Sequence, residues 1–359
     1  MAFPTGWTKK CSLTIDNTKV SGSANLTNFP VLLTEANFPS TIFDNTQSAG
    51  QDLRFTSDSA GTTELAFEIV NWDTTNDKAE VWVKIPTVDY DDDTIFYVWY
   101  GNSSASAYAH TDTYGTHNVW DSNYGLVSHD GGITDSTSNH NNGTATGTTE
   151  VDAKIGKGRS LNGTSSDYIT IPDSNSLDVN NFTISFWLKR KADSENYMRV
   201  LCKDNNYNDW LYYLQIMPGD NDVFQGGFND ATSTTQKNYL VNGTVALGTA
   251  DYNYATLTFN GTTEYLYTNG GNAGSANYSK SVPASTGNLY IGRLLADGTY
   301  YYDANVIIDE IRISNIARSS DWIATEYNNQ SSPSTFVIEG TEESAGITGI
   351  AASKRIINC

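Results

Sequence analysis

The chain has 359 residues, with 41 acidic against 21 basic side chains and a formal net charge of -20. That length allows two or three domains with cores of their own, and so acidic a surface repels nucleic-acid phosphates and anionic membranes. Its 29 glycines and 22 tyrosines, set among abundant Thr, Ser and Asn, suit strands and turns and make poor helix interiors.

The chain opens Met1-Ala2-Phe3-Pro4-Thr5-Gly6-Trp7. No basic segment followed by an apolar stretch is visible there, so no secretory signal is read. Short strands then follow. Cys11–Asp16 alternates apolar and polar residues, Phe29–Leu33 is a continuous apolar run, and Asp52–Phe55 and Leu65–Ile69 alternate again. Glu80–Pro86 places Val81, Val83 and Ile85 on one face, and Thr94–Tyr100 is β-branched or aromatic throughout before it stops at Gly101-Asn102. Residues 103–120 lack a period and read as a linker or crossing segment.

Strands resume beyond it. Thr183–Lys189, Leu211–Ile216 and Tyr254–Phe259 alternate, the last running into the hairpin signal Asn260-Gly261. Glu264–Tyr267, Leu289–Gly292 and Val306–Ile313 complete the set. One helix is expected over Ser319–Asn328, with Ser320 as its N-cap. Residues 341–359 turn polar and read as a tail that is flexible or docks on a partner. No run of about 18 apolar residues occurs, so no membrane span is expected. Cys11, Cys202 and Cys359 are odd in number and far apart, which encodes neither a disulfide framework nor a zinc site. The fold expected is all-β: two β-sandwich or jelly-roll domains in tandem, with one short helix near the C-terminus.

Two resemblances rest on ordered sets of residues. In residues 1–105 the set is Asn28-Phe29-Pro30-Val31-Leu32-Leu33, Asp52-Leu53-Arg54-Phe55, Glu68-Ile69 with Trp72, Val81-Trp82-Val83-Lys84-Ile85-Pro86, and Tyr97-Val98-Trp99-Tyr100-Gly101-Asn102. This segment resembles a domain family of unknown function found at the start of prokaryotic surface proteins and in phage structural genes. In residues 121–340 the set includes Thr134-Asp135-Ser136, Asn141-Asn142-Gly143, Leu161-Asn162-Gly163, Tyr168–Pro172, Phe182–Trp187, Tyr290-Ile291-Gly292 and Ile308–Ile313. That segment resembles a concanavalin A-like, laminin-G-like jelly roll. The resemblance implies two packed antiparallel sheets, adhesive or glycan-binding use, and often one structural Ca²⁺.

The domains expected are therefore 1–105, a linker 106–120, a jelly roll 121–340 and a tail 341–359. For calcium, hard oxygens are offered by Asp135 with Asn139, Asn141 and Asn142 on one loop. The resemblance adds Asp309 as the residue that approaches it. The alternative is an Asx-turn at Asp135 and a buried, hydrogen-bonded Asp309. For glycans, Tyr207, Trp210, Tyr300, Tyr301 and Tyr302 stand beside Asn or Asp in turn-like segments, where ring faces cover a sugar and amides read its hydroxyls.

Catalysis finds less support. Asp309 and Glu310 are adjacent and are expected on opposite faces of a strand. Glu64 and Glu68 share a face but lie in the first domain, away from the expected cleft, and His110, His117, His129 and His140 read as exposed loop residues. No Ser/His/Asp order and no H-E-x-x-H spacing occurs. The expectation is a non-catalytic binding or structural protein of a virion or extracellular surface, forming a homo-oligomer with other virion proteins or surface glycans as partners. A carbohydrate-binding module of a secreted protein is the alternative, and a polysaccharide-degrading jelly roll the third reading.

Overall fold

A computed structural model describes residues 3–193, 196–204, 210–219, 222–229, 238–278, 280–282, 284–296 and 299–345. Its strands form two sandwiches. In the first, a five-stranded sheet built around Lys9–Ile15 and Thr94–Tyr100 faces a three-stranded sheet of Leu26–Thr34, Lys78–Val88 and Phe67–Asp73. Leu13, Val31, Val81, Val83 and Val98 fill the space between them. The apolar run at Phe29–Leu33 is buried on both sides of its strand: Val31 and Leu33 enter that core, whereas Leu32 and Trp82 point the other way. A strand covered on both faces loses the alternation of a half-exposed one.

The second sandwich is a jelly roll. One sheet runs through Lys157–Asn162, Asn305–Ser314, Phe182–Arg190, Asn253–Phe259 and Thr263–Thr268, and Tyr124–Ser128 pairs with Asn305–Ser314. The opposing seven-stranded sheet includes Met198–Asp204, Trp210–Met217, Val223–Asn229, Asn288–Ile291 and Tyr168–Ile171. Ile184, Phe186, Leu214, Leu257 and Ile308 are among its core residues. At Asn260-Gly261 the chain turns as expected, with Gly261 at φ 91° and Asn260 Oδ1 accepting from the amides of Thr262 and Thr263.

The C-terminal segment departs from the expected boundaries. The helix Ser320–Ser331 runs three residues beyond the expected end, and its N-cap is Ser319 rather than Ser320, the Ser319 hydroxyl accepting from Trp322 N. Its Trp322 enters the first sandwich's core, with the ring 4.8 Å from that of Phe29. The chain then continues as the strand Val337–Ser344, which pairs with Lys9–Ile15 as an edge of the first sheet. Residues 341–344, read as tail, belong to that strand, so the first sandwich is completed by the end of the chain. An edge strand shows little alternation, and only Val337 of this one is buried.

The two sandwiches are stacked. Leu32 and Trp82 from the first meet Val127, Ile155, Trp187 and Tyr254 from the second, with Val119 and Trp120 of the connecting segment between them. The helix is wedged at the same seam. Asn329 bonds both the amide and the carbonyl of Leu32, at 2.7 and 3.1 Å, and Gln330 Oε1 accepts from Trp187 Nε1 at 2.6 Å.

Candidate functional site

The seam between the sandwiches holds a buried charge network. Phe67–Asp73 and Lys78–Val88 present Glu68 and Glu80 on the face turned away from their own core. From the other side, Asn305–Ser314 presents Asp309, Glu310 and Arg312. Adjacent strand residues point to opposite faces, so Asp309 and Glu310 should part. They do not, because a bulge interrupts the ladder: Ser185 pairs with Arg312 but Trp187 with Asp309, and Glu310 takes φ 52°. One extra residue there turns both acids to the seam. The spacing of Val306, Ile308, Ile311 and Ile313, all in the core, records the shift, and it was readable in the sequence.

His129 sits at the centre of the network. It is 5% exposed, so its placement as an exposed loop residue is corrected; its neighbours, from distant segments, exclude solvent. Nδ1 lies 2.7 Å from Glu310 Oε1, and Nε2 lies 3.3 Å from Glu68 Oε2. The imidazole stacks on Trp82 with ring centroids 5.4 Å apart. Glu68 also accepts from Trp120 Nε1 and Ser136 Oγ, both at 2.6 Å. Arg312 donates to Glu310 at 2.6 Å and to Glu326 at 2.5 Å, while Glu326 accepts from the Tyr254 hydroxyl at 2.8 Å.

The carboxylates titrate apart. Burial works to raise Glu68, but the His129 charge and the hydrogen bonds of His129, Ser136 and Trp120 outweigh it and hold the group below its usual range. Burial pushes Glu80 up to about 8, with Glu310 adding to the rise. Burial and Glu310 likewise push Asp309 well up. Above these groups opens an interdomain cleft of about 1010 Å³, lined among others by Glu68, Glu80, His129, Ser136, Lys154 and Gly156. Glu68, expected to stand away from any cleft, is thus on its floor, because the pairing of two domains cannot be read from one strand's pattern.

The other three histidines behave differently. His117, in the 3-10 helix Thr116–Asn118, is edge-on to His140 at 5.3 Å and stacked on His110 at 5.9 Å, the latter two in irregular segments.

Of the residues expected around calcium, Asp135, Asn139, Asn141 and Asn142 meet in one hydrogen-bonded loop, and Asp309 does not join them. Asp135 is buried and its Oδ1 accepts from the amides of Val127 and Thr137. Its Oδ2 accepts from the Thr137 hydroxyl and the Asn141 amide. N–H and O–H groups therefore face that carboxylate where a cation would have to stand. Asn142 Oδ1 accepts from the Asp135 amide, and Asn141 and Asn139 donate to Gly125 O. Asp309 is turned elsewhere, accepting from Ile155 N at 2.8 Å.

Of the expected glycan contacts, Tyr207 lies outside the described residues, as do the side chains of Trp210, Tyr300 and Tyr301. Tyr302 is described, 37% exposed, at φ 60°. Tyr197, equally exposed, meets it edge-on at 5.9 Å, and the Arg199 guanidinium lies 3.8 Å from the Tyr213 ring and 6.0 Å from Tyr302. Sequence reasoning passed over Tyr197 and Arg199, which only the pairing of Met198–Asp204 within its sheet brings to Tyr302.

Residues 162–324 match the concanavalin A-like lectin/glucanases superfamily of the laminin-G type, and residues 49–125 match a domain of unknown function, DUF2341. The chain thus joins a DUF2341 domain to a concanavalin A-like domain. The binding domain of Paraclostridial Mosquitocidal Protein 1 is similar at 16% identity and TM-score 0.48, over 57% of this chain and 52% of that one. The botulinum neurotoxin serotype G binding domain gives 17%, 0.47, 58% and 52%. Domain 4 of an extracellular arabinanase from Geobacillus stearothermophilus, in complex with arabinotriose, gives 21%, 0.43, 55% and 93%. The chain spans about half the length of the two toxin binding domains. No curated protein matches it in sequence.

Proposed function

We propose that this chain is a carbohydrate-binding protein displayed on an extracellular or virion surface, with no catalytic step of its own. The observation that carries the reading is the exposed, edge-on pair Tyr197 and Tyr302, on a domain that matches a superfamily of lectins and glucanases. Tyrosine rings cover the C–H face of a sugar. Two of the seam's acids, Glu68 and Glu310, are already engaged by Trp120, Ser136, His129 and Arg312, which supports a non-catalytic role for that pair.

The test is binding to a panel of soluble polysaccharides, read by affinity electrophoresis and calorimetry. Tyr302→Ala is expected to weaken binding at least tenfold with the unfolding transition unchanged. Undiminished binding by a Tyr197→Ala/Tyr302→Ala double variant removes this site, and silence across the panel removes the reading. Reducing ends released by the native chain, but not by Glu80→Gln, would make it a hydrolase instead. The virion form of the proposal rests on the resemblance of the first domain. A strict monomer that never sediments with particles leaves only the secreted form.

A further inference from the structure

The seam between the domains contains more acid than its partners neutralise. Glu68, Glu80, Asp309, Glu310 and Glu326 are all buried there, and the cations in hydrogen-bond contact with them are Arg312 and His129. Two of the carboxylate oxygens, Glu80 Oε1 and Asp309 Oδ1, have no hydrogen-bond partner, although Glu80 is 3% and Asp309 0% exposed. Buried polar atoms are nearly always paired, and an orphan asks for an ion or water to complete it.

We propose that Glu80, His129 and Glu310 bind a divalent transition-metal ion. The ligand atoms of the three residues lie within 4.8 Å of one another. His129 Nδ1 is 2.7 Å from Glu310 Oε1 and 3.8 Å from Glu80 Oε1. Two ligands each about 2.1 Å from one ion stand about 3 to 4 Å apart, so the observed spacings need only small adjustment. One imidazole nitrogen with two carboxylate oxygens, completed by water, suits Zn²⁺ or Mn²⁺.

The surroundings fit a ligand histidine. A metal-binding imidazole almost always donates its other N–H to a carboxylate or carbonyl, and His129 Nε2 faces Glu68 Oε2 at 3.3 Å. Glu68 is itself fixed by Trp120 and Ser136. The neighbouring turn is shaped to the group: a Cβ at Gly156 would stand 2.2 Å from Glu80 Oε2. Access is through the cleft, which Glu80 and His129 both line. Because its ligands come from both sandwiches, such an ion would fasten them together. This inference is independent of the glycan reading, which concerns a different face.

An imidazolium that bridges Glu68 and Glu310 would fill the same space with a proton, and the experiment separates the two. The chelator-treated full chain is titrated with Zn²⁺, Mn²⁺ and Co²⁺ by calorimetry and by thermal melt. One ion per chain is expected, with a raised melting temperature and Co²⁺ bands of mixed nitrogen and oxygen coordination. Glu80→Gln, which keeps the shape of the side chain, should bind at least tenfold more weakly, while Asp135→Asn should bind as before. The chain has four histidines, so the ring resonances of His129 can be followed, and Co²⁺ should displace them even if a His129 variant does not fold. No saturable binding of any of the three ions at millimolar concentration overturns the proposal. Equal affinity in Glu80→Gln with the His129 resonances unmoved overturns it too.

Discussion

Asp135 and Glu310 are both buried carboxylates of the jelly roll, and they are held in opposite ways. Asp135 takes its hydrogen bonds from Val127, Thr137 and Asn141, within eight positions of itself. Glu310 is held by Arg312 and by His129, which lies 181 positions away, and through them it is tied to Glu68 and Glu326. The first arrangement is made by a loop folding on itself. Glu310's own partners lie in the jelly roll, and the network is completed when Glu68 of the first sandwich and Glu326 of the helix join it. A carboxylate satisfied by its own loop survives separation of the domains; a network that includes Glu68 is broken by it.

The comparison breaks most visibly at Arg312. Its guanidinium bridges Glu310 and Glu326 and lies 4.4 Å from the Trp82 ring centroid. Arg312→Ala leaves two acids buried without their cation, a loss of about 3–5 kcal/mol. Denaturant unfolding should show this loss, together with a change in the fluorescence of the seam tryptophans. A loss below about 1 kcal/mol would mean that apolar contact, rather than charge, joins the sandwiches. Asp135→Ala should cost less, about 1–3 kcal/mol, because it strands the amides of Val127, Thr137 and Asn141. Its effect should stay within the loop, leaving the seam fluorescence as in the native chain. A shift of that fluorescence would show that the two groups are coupled after all.

The same contrast explains what could be read in advance. Strands such as Thr183–Lys189 and Tyr254–Phe259 announce themselves because one face is core and the alternation is local. The Asx-turn at Asp135 was among the readings because its partners are sequence neighbours. His129 gave no signal: a single histidine in a polar stretch looks the same whether solvent or three carboxylates surround it. Asp309 and Glu310 were misassigned by assuming an unbroken strand, although the spacing of Ile308 and Ile311 marks the bulge. The strand Val337–Ser344 was hidden for another reason. It is an edge carrying Glu339, Glu342 and Glu343, and such charges protect an exposed edge but erase the apolar pattern.

Glu342, on that edge, separates distance from burial. Its partners are more remote in sequence than His129 is from Glu310: Lys9 Nζ at 2.5 Å, and the hydroxyls of Thr41 and Tyr100 at 2.6 Å. Hydrogen bonds from Lys9, then from Thr41 and Tyr100, lower its pKa from 4.5 to about 2. A carboxylate depressed by folding contributes stability above its ordinary value and loses it as the pH falls from about 4.5 through about 2. The side chain is 30% exposed, however, and solvent and salt screen such a pair to less than about 1 kcal/mol. Native protein and Glu342→Gln should therefore differ slightly at pH 6 and converge by pH 2, in unfolding curves measured at low salt. A difference that persists at pH 2, or one as large as that of Arg312→Ala at pH 6, would show that remoteness of the partners, rather than their burial, sets the strength of these contacts.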